Sequence, residues 1–164
     1  LLRQRISNED EVVPIAREVE YAKGYLTIQK MRYKDKLEFQ IDVEPSVLNI
    51  PLIKLVLQPI IENAIYHGLK YKESRGLLQV KGFMKDGNAV LQVIDNGVGM
   101  DEETLAHIYD RHKVNYHSNG VGVYNVEKRL KLYYGENYGI TYESEKGVGT
   151  TATITIPGMQ EETI

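Results

Sequence analysis

In the stretch QPIIENAIYHGLK, residues 58–70, three polar side chains recur where an apolar helix has no packing use for them. At about 100° per residue, Asn63, His67 and Lys70 (i, i+4, i+7) share one face, while Ile60, Ile61, Ala64 and Ile65 lie mostly elsewhere. An amide, an imidazole and an ammonium in one row suit a charged ligand lying against that face. Three glycine-containing segments follow: DNGVGM (95–100), NGVGVYN (119–125) and GVGT (147–150). Each Gly pair permits positive φ or close backbone approach, and NGVGVYN leads straight into a helix whose free N–H groups favour an anion. Plainer readings stand beside these. Asn63 also suits a helix surface, His67 a packed histidine, Lys70 the C-terminal end of a helix dipole, and a lone Gly-x-Gly a simple turn.

The elements that must position these residues are legible in outline. VPIAREVEYAKGYLTIQKMRY has the apolar spacing of a long amphipathic helix, with Pro14 suited to its first turn. KLEFQIDV alternates as a strand closed by Pro45, and the Asn63 helix is expected to start near Pro51. LLQVKGFM and AVLQVIDN read as strands joined by an Asp-Gly hairpin turn. Residues 100–119 are polar, with one helical turn at DEETLAHIY, and form a long loop of the kind that in compact domains is usually functional or disordered. GVGVYNVEKRLKLYYG is a helix closed by Gly135, and GITYESE and GTTATITIP form a second strand pair. Strands and helices alternate without a strict βαβ rhythm. The expected fold is therefore an α/β (α+β) two-layer sandwich, a mixed and largely antiparallel sheet with helices on one face.

Composition removes whole classes of function. A net charge of −3 gives no basic footprint for nucleic acid. The chain has no cysteine, so it has no thiolate metal site or nucleophile. It has no apolar run of membrane-spanning length, so no membrane contact is expected. His107, His112 and His117 are spaced by five, which does not stack them on one helix face, and zinc is not expected there. The opening LLRQRISNEDE lacks both an initiator methionine and a signal pattern, which suggests a piece of a longer protein.

The order and spacing of ENAIYHG, DNGVGM, NGVGVYNVEKRL and GTT are more specific than any one of them. Across residues 37–156 the sequence resembles the ATP-binding domain of sensor histidine kinases, in the superfamily shared with gyrase, Hsp90 and MutL (the Bergerat fold). The lead-in EVEYAKGYLTIQKMRY looks like the segment before that domain in sensor kinases of the YesM/LytS type. The resemblance implies a division into residues 1–34 (tail of a dimerisation region and connecting helix), 35–158 (catalytic domain) and 159–164 (tail). It also implies ATP and Mg²⁺ as cofactors and a set of roles. Asn63 would coordinate Mg²⁺ through its carbonyl, Asp95 would accept the adenine amino group, and Gly97 and Gly99 would let base and ribose approach. Gly120, Val121 and Gly122 would offer amides to the phosphates, which His67 and Lys70 would also meet, and Thr150 and Thr151 would border the pocket. Asn63 and His67 would be the catalytic pair. The loop at 100–119 would be the ATP lid.

Two positions depart from the family pattern or decide within it. A lysine often stands three residues after the Asn, and here Tyr66 does, so the phosphate charge is left to His67, Lys70 or a loop residue such as Arg111 or Lys113; Arg129, one turn after Asn125, could also reach a γ-phosphate or belong to a solvated helix face. The ATP-hydrolysing relatives carry a glutamate four residues before the Asn as general base. Here Pro59 occupies that position, and Glu62 lies about 100° around the helix. The resemblance thus implies a kinase that holds ATP for a histidine, with the acceptor on a dimerisation helix upstream. The parent would be a homodimeric bacterial membrane sensor, this part cytoplasmic, passing its phosphoryl group to a response regulator. The alternatives are a degenerate nucleotide-binding scaffold and a gyrase- or Hsp90-type ATPase.

Overall fold

Alternation along NAVLQVID puts Leu91, Val93 and Asp95 in one row facing the interior, with Gln92 and Ile94 on the other side. This strand, β5 (Asn88–Asp95), is central in a computed structural model that describes residues 12–108 and 120–159. The five-stranded sheet runs β2 (Leu37–Val43), β4 (Gly76–Lys85), β5, β7 (Gly149–Pro157), β6 (Gly139–Glu145). β2 pairs parallel with β4, and every other pair is antiparallel. The β4–β5 connection has Asp86 and Gly87 at φ 52° and 79°, as a type I′ hairpin turn requires.

Helices cover one face only. Ile15, Ala22 and Leu26 of α1 (Ile15–Tyr33), Leu57, Ile60 and Ile61 of α3 (Leu57–Asn63), and Val123, Val126 and Leu130 of α5 (Gly120–Tyr134) pack on Leu78, Val80, Leu91, Val93 and Ile154 of the sheet. The opposite face carries polar pairs, Gln79 with Gln40 and Gln92 with Thr153. This is the expected two-layer sandwich. The segment expected to connect, α1, is also part of the core.

The start of the Asn63 helix differs from expectation. Pro51–Ile53 is a strand, β3, paired antiparallel with β1 (Val12–Pro14), and helix begins only at Leu57. Between them Leu55 takes φ 57°, which breaks the helical path. The buried Glu18 of α1 then accepts from the N–H groups of Val56 (2.8 Å) and Leu57 (3.3 Å), satisfying donors that the first helical turn cannot pair. Replacing Glu18 by Leu is expected to lower unfolding free energy by roughly 1–3 kcal/mol, since two buried N–H groups lose their acceptor. Glu18→Gln, which keeps an acceptor, should lose less. Urea titration checks both, and equal losses would contradict the capping role.

At Ala64 the helix widens. Ala64–Leu69 forms a π segment, closed by a bond from the Lys70 N–H to the Ile65 carbonyl at 2.9 Å. The short α2 (Pro45–Leu48) follows β2. The turn at DEETLAHIY is α4 (Glu102–Ala106), capped by Asp101 Oδ1 accepting from Thr104 N at 2.7 Å.

Candidate functional site

Three chain segments meet at the end of the buried row on β5. Register places Asp95 opposite Leu78 on β4 and Thr150 on β7, so its carboxylate continues the core-facing row instead of entering solvent. The π segment passes directly over it. A Cβ on Gly68 would lie 2.7 Å from Asp95 Oδ1, so only glycine lets the helix approach this closely. The resulting small cavity, about 30 Å³, is lined by Asn63, His67, Gly68, Asp95, Gly99 and Thr150 among others.

Asp95 is 6% exposed. Burial pushes its carboxyl up to about 6, and this outweighs the opposing pull of the Gly97 and Thr150 N–H groups and of Lys72. The Gly97 N–H donates to Oδ1 at 2.9 Å. Burial also lowers the His67 imidazole below its ordinary value, with the Lys70 charge adding to the effect. The ring meets Tyr66 edge-on, ring centroids 5.0 Å apart. Among the described residues the Asn63 amide has no hydrogen-bond partner, although it is half-buried in the cavity wall.

The structure thus brings Asn63, His67, Asp95, Gly99 and Thr150 together. It does not bring Lys70 or Thr151. The wider π turn rotates Lys70 off the Asn63 face, where its ammonium lies over the rings of Tyr66 (4.4 Å) and Tyr71 (5.7 Å). Thr151 follows strand alternation to the helix-free side of the sheet, beside Glu143 and Ile94. Arg129 is likewise committed elsewhere, donating to the carbonyls of Lys54 (2.5 Å) and Leu55 (3.3 Å).

The first glycine box proves to be packed against backbone. A Cβ on Gly97 would overlap the Gly68 carbonyl, and one on Gly99, at φ 67°, the carbonyl of Glu145. The Val98 N–H donates to Gly68 O at 3.0 Å and the Gly147 N–H to Val98 O at 2.7 Å, tying the three segments together. These contacts account for Gly97 and Gly99 without a ligand. Gly122 is different: a Cβ there would lie 3.5 Å from Pro59 Cβ, an ordinary contact. Gly120 and Val121 open α5, so the helix begins where the sequence places it. The rest of the expected lid, 109–119, with Arg111, Lys113, His112 and His117, lies outside the described residues.

Sequence reasoning missed three contributors. Gly68 and Gly149 are needed for close approach to Asp95. Ser144 Oγ accepts from Met100 N (2.8 Å), donates to Gly149 O (3.0 Å) and lies 2.7 Å from Thr150 Oγ1. Gly68 stands within the quoted ENAIYHG; nothing local marks Ser144.

Pro59 faces the first turn of α5, one helical turn before Asn63. Glu62 instead takes a hydrogen bond from Gln58 Nε2 (3.1 Å) and lies on the side of Tyr25 in α1. Neither position presents a carboxylate base beside Asn63. The donor set also limits metals: among the described residues no cluster of three His, Cys, Asp or Glu could hold an ion. One amide oxygen at Asn63 fits a cation that takes most of its ligands from phosphate and water, as Mg²⁺ does.

Residues 49–160 match the family described as histidine kinase-, DNA gyrase B-, and HSP90-like ATPase, and residues 1–37 match a histidine kinase family. The chain is 34% identical over 98% of its length to the sensor histidine kinase YesM of Bacillus subtilis, covering 26% of that protein. It is 32% identical over 78% of its length to the sensor protein LytS of Oceanobacillus iheyensis, covering 22%. The chain therefore spans about a quarter of these relatives. A mycobacterial sensor histidine kinase, MprB, has the same fold, with TM-score 0.63 and 21% identity over 90% of this chain and 96% of that one.

Proposed function

Because the chain belongs to the histidine kinase-, DNA gyrase B-, and HSP90-like ATPase family, we propose that it is the ATP-binding catalytic domain of a two-component sensor histidine kinase. The observation that carries this reading is the buried Asp95 carboxylate under the π segment, on a cavity whose wall it shares with the Asn63 amide. Asp95 accepts the adenine amino group and selects against guanine, which offers a carbonyl there. Asn63 holds Mg²⁺, whose charge would draw the phosphate oxygens into place. His67 donates one N–H to phosphate, and the first turn of α5 at Gly120–Gly122 supplies backbone N–H groups. Thr150 fixes the pocket edge through Ser144.

With Pro59 and Glu62 placed as they are, no carboxylate among the described residues stands beside Asn63 to activate water, which supports retention of ATP for a protein acceptor. The γ-phosphoryl leaves ADP and joins a histidine nitrogen on the dimerisation segment of the homodimeric parent, then an aspartate of a response regulator. The chain takes its place in the parent as residues 35–158 for catalysis, with α1 leading in from the dimerisation segment. Among the described residues no helix is long and apolar enough to cross a membrane. We assign the domain to the cytoplasmic side of a membrane sensor.

The test uses the full-length parent with γ-labelled ATP and Mg²⁺. Label should appear on protein in an acid-labile, base-stable form and fall at least about a hundredfold in Asn63→Ala, as losing a group that positions phosphate and metal implies. Rapid release of free phosphate with no protein label would instead favour a hydrolase.

A further inference from the structure

Lys70, turned away from the nucleotide cavity, belongs to a second one. The helix from Asn63 through the π segment to Lys70 has two walls: Asn63, His67 and Gly68 share a cavity with Asp95, whereas Ile65, Leu69 and Lys70 line a separate one of about 120 Å³. That volume is several times the ~10–15 Å³ that one water needs. Its floor is apolar, formed by the buried Leu37 and Ile65 with the half-buried Leu69, and Tyr33 forms a wall. Its rim is cationic: Lys36 from the turn after α1, Lys70 at the end of the π segment, and Lys72 two residues on. Among the described residues no carboxylate forms a salt bridge with any of the three.

The core and the nucleotide reading do not explain why Lys36 and Lys70 line a cavity with an apolar floor. Solvation alone would spread like charges apart. Here Lys70 is held over the faces of Tyr66 and Tyr71, and Lys72 donates to the Asn96 carbonyl at 2.8 Å. A ligand pocket is commonly apolar with a few placed polar groups that fix orientation. We propose that this cavity is a second binding site, taking a small anion with a flat apolar body, an aryl phosphate or its equivalent: the ring lies on Leu37, Ile65 and Leu69, and the phosphate meets Lys36 and Lys70. The site is coupled to the first by position. It shares the π segment with the nucleotide cavity, and Lys72 reaches the residue next to Asp95. Any change that its ligand makes in nucleotide affinity is returned by the nucleotide in equal measure.

The experiment is a titration of the chain with phenyl phosphate, followed by amide NMR shifts, with a non-hydrolysable ATP analogue saturating the first site. Saturable shifts at Leu37, Ile65, Leu69 and Lys70 are expected, with inorganic phosphate binding more weakly because it lacks the ring. In Lys36→Gln/Lys70→Gln the dissociation constant should rise at least about tenfold, the effect of removing two charge-assisted contacts. Absence of saturable shifts at these residues, or shifts unchanged in the double variant, would overturn the proposal. Both lysines are exposed, so the variant should keep its dispersed spectrum.

Discussion

Asp95→Asn is expected to weaken ATP binding at least about tenfold, a loss of roughly 1.4 kcal/mol or more, while making the ligand-free domain more stable at neutral pH. The two effects have one cause. Burial raises the folded carboxyl to about 6 from an ordinary value of 3.8. A group raised in this way contributes stability that is fully present below the unfolded value and is lost as pH rises through about 6. Above that pH the ionised carboxylate costs up to roughly 3 kcal/mol, the shift converted at ~1.4 kcal/mol per unit. Asparagine cannot ionise, so it escapes the cost; it also turns an amide N–H₂ toward either Gly97 or Thr150, so the net gain should be nearer ~1 kcal/mol. Thermal unfolding of both proteins between pH 5 and 8 checks this. The wild type should gain on the variant as pH falls, and its ATP affinity should decline below about 6 as the acceptor takes a proton. A stability difference that does not vary with pH would sink the account, and so would calorimetry giving equal ATP affinities.

A buried charge at the end of a core row is retained against its own cost only where something repays it, and the sequence already shows where to look. The row Leu91, Val93, Asp95 is plain alternation, and so is the separation of Thr150 from Thr151, because neighbours on a strand cannot share a face. The five strands of the main sheet and their faces are legible for this reason, the α5 boundaries from its flanking glycines, and the order of the glycine segments points to the family. What local sequence does not carry is long-range. PLIKLVLQPIIENAIYHG is a nearly continuous apolar run, and periodicity gives no reason to break it after Ile53. The break is set by Glu18, 38 residues earlier, capping Val56, and by Arg129 holding the Lys54 and Leu55 carbonyls from α5. The π segment is invisible to a 3.6-residue period, which sets Lys70 on the Asn63 face although it lines a different cavity. The parallel pairing of β2 with β4 leaves no mark in either strand.

The glycines are where sequence and structure divide most usefully, and a pair of substitutions separates their roles. Gly97 does not require positive φ; it requires space, because a Cβ would overlap the Gly68 backbone, which cannot move without dragging the π segment off Asp95. Gly97→Ala should therefore destabilise the ligand-free domain by upward of ~3 kcal/mol, beyond the usual cost of an overpacked side chain. A role confined to ligand approach would leave apo stability untouched. Gly122 is the reverse case. It lies in the first turn of α5 with room for a methyl group beside Pro59, and alanine there should raise helix stability by roughly 0.5–1 kcal/mol. Among the described residues nothing in the packing prefers glycine at 122, which points to what approaches the helix. Gly122→Ala should keep or raise the unfolding temperature and still lose ATP affinity at least about tenfold, because a methyl group would stand among N–H groups aimed at phosphate. Measured together, apo unfolding and ATP calorimetry give opposite signatures for the two variants. If both lose only stability, the second glycine box is packing as well, and the phosphates must be held elsewhere.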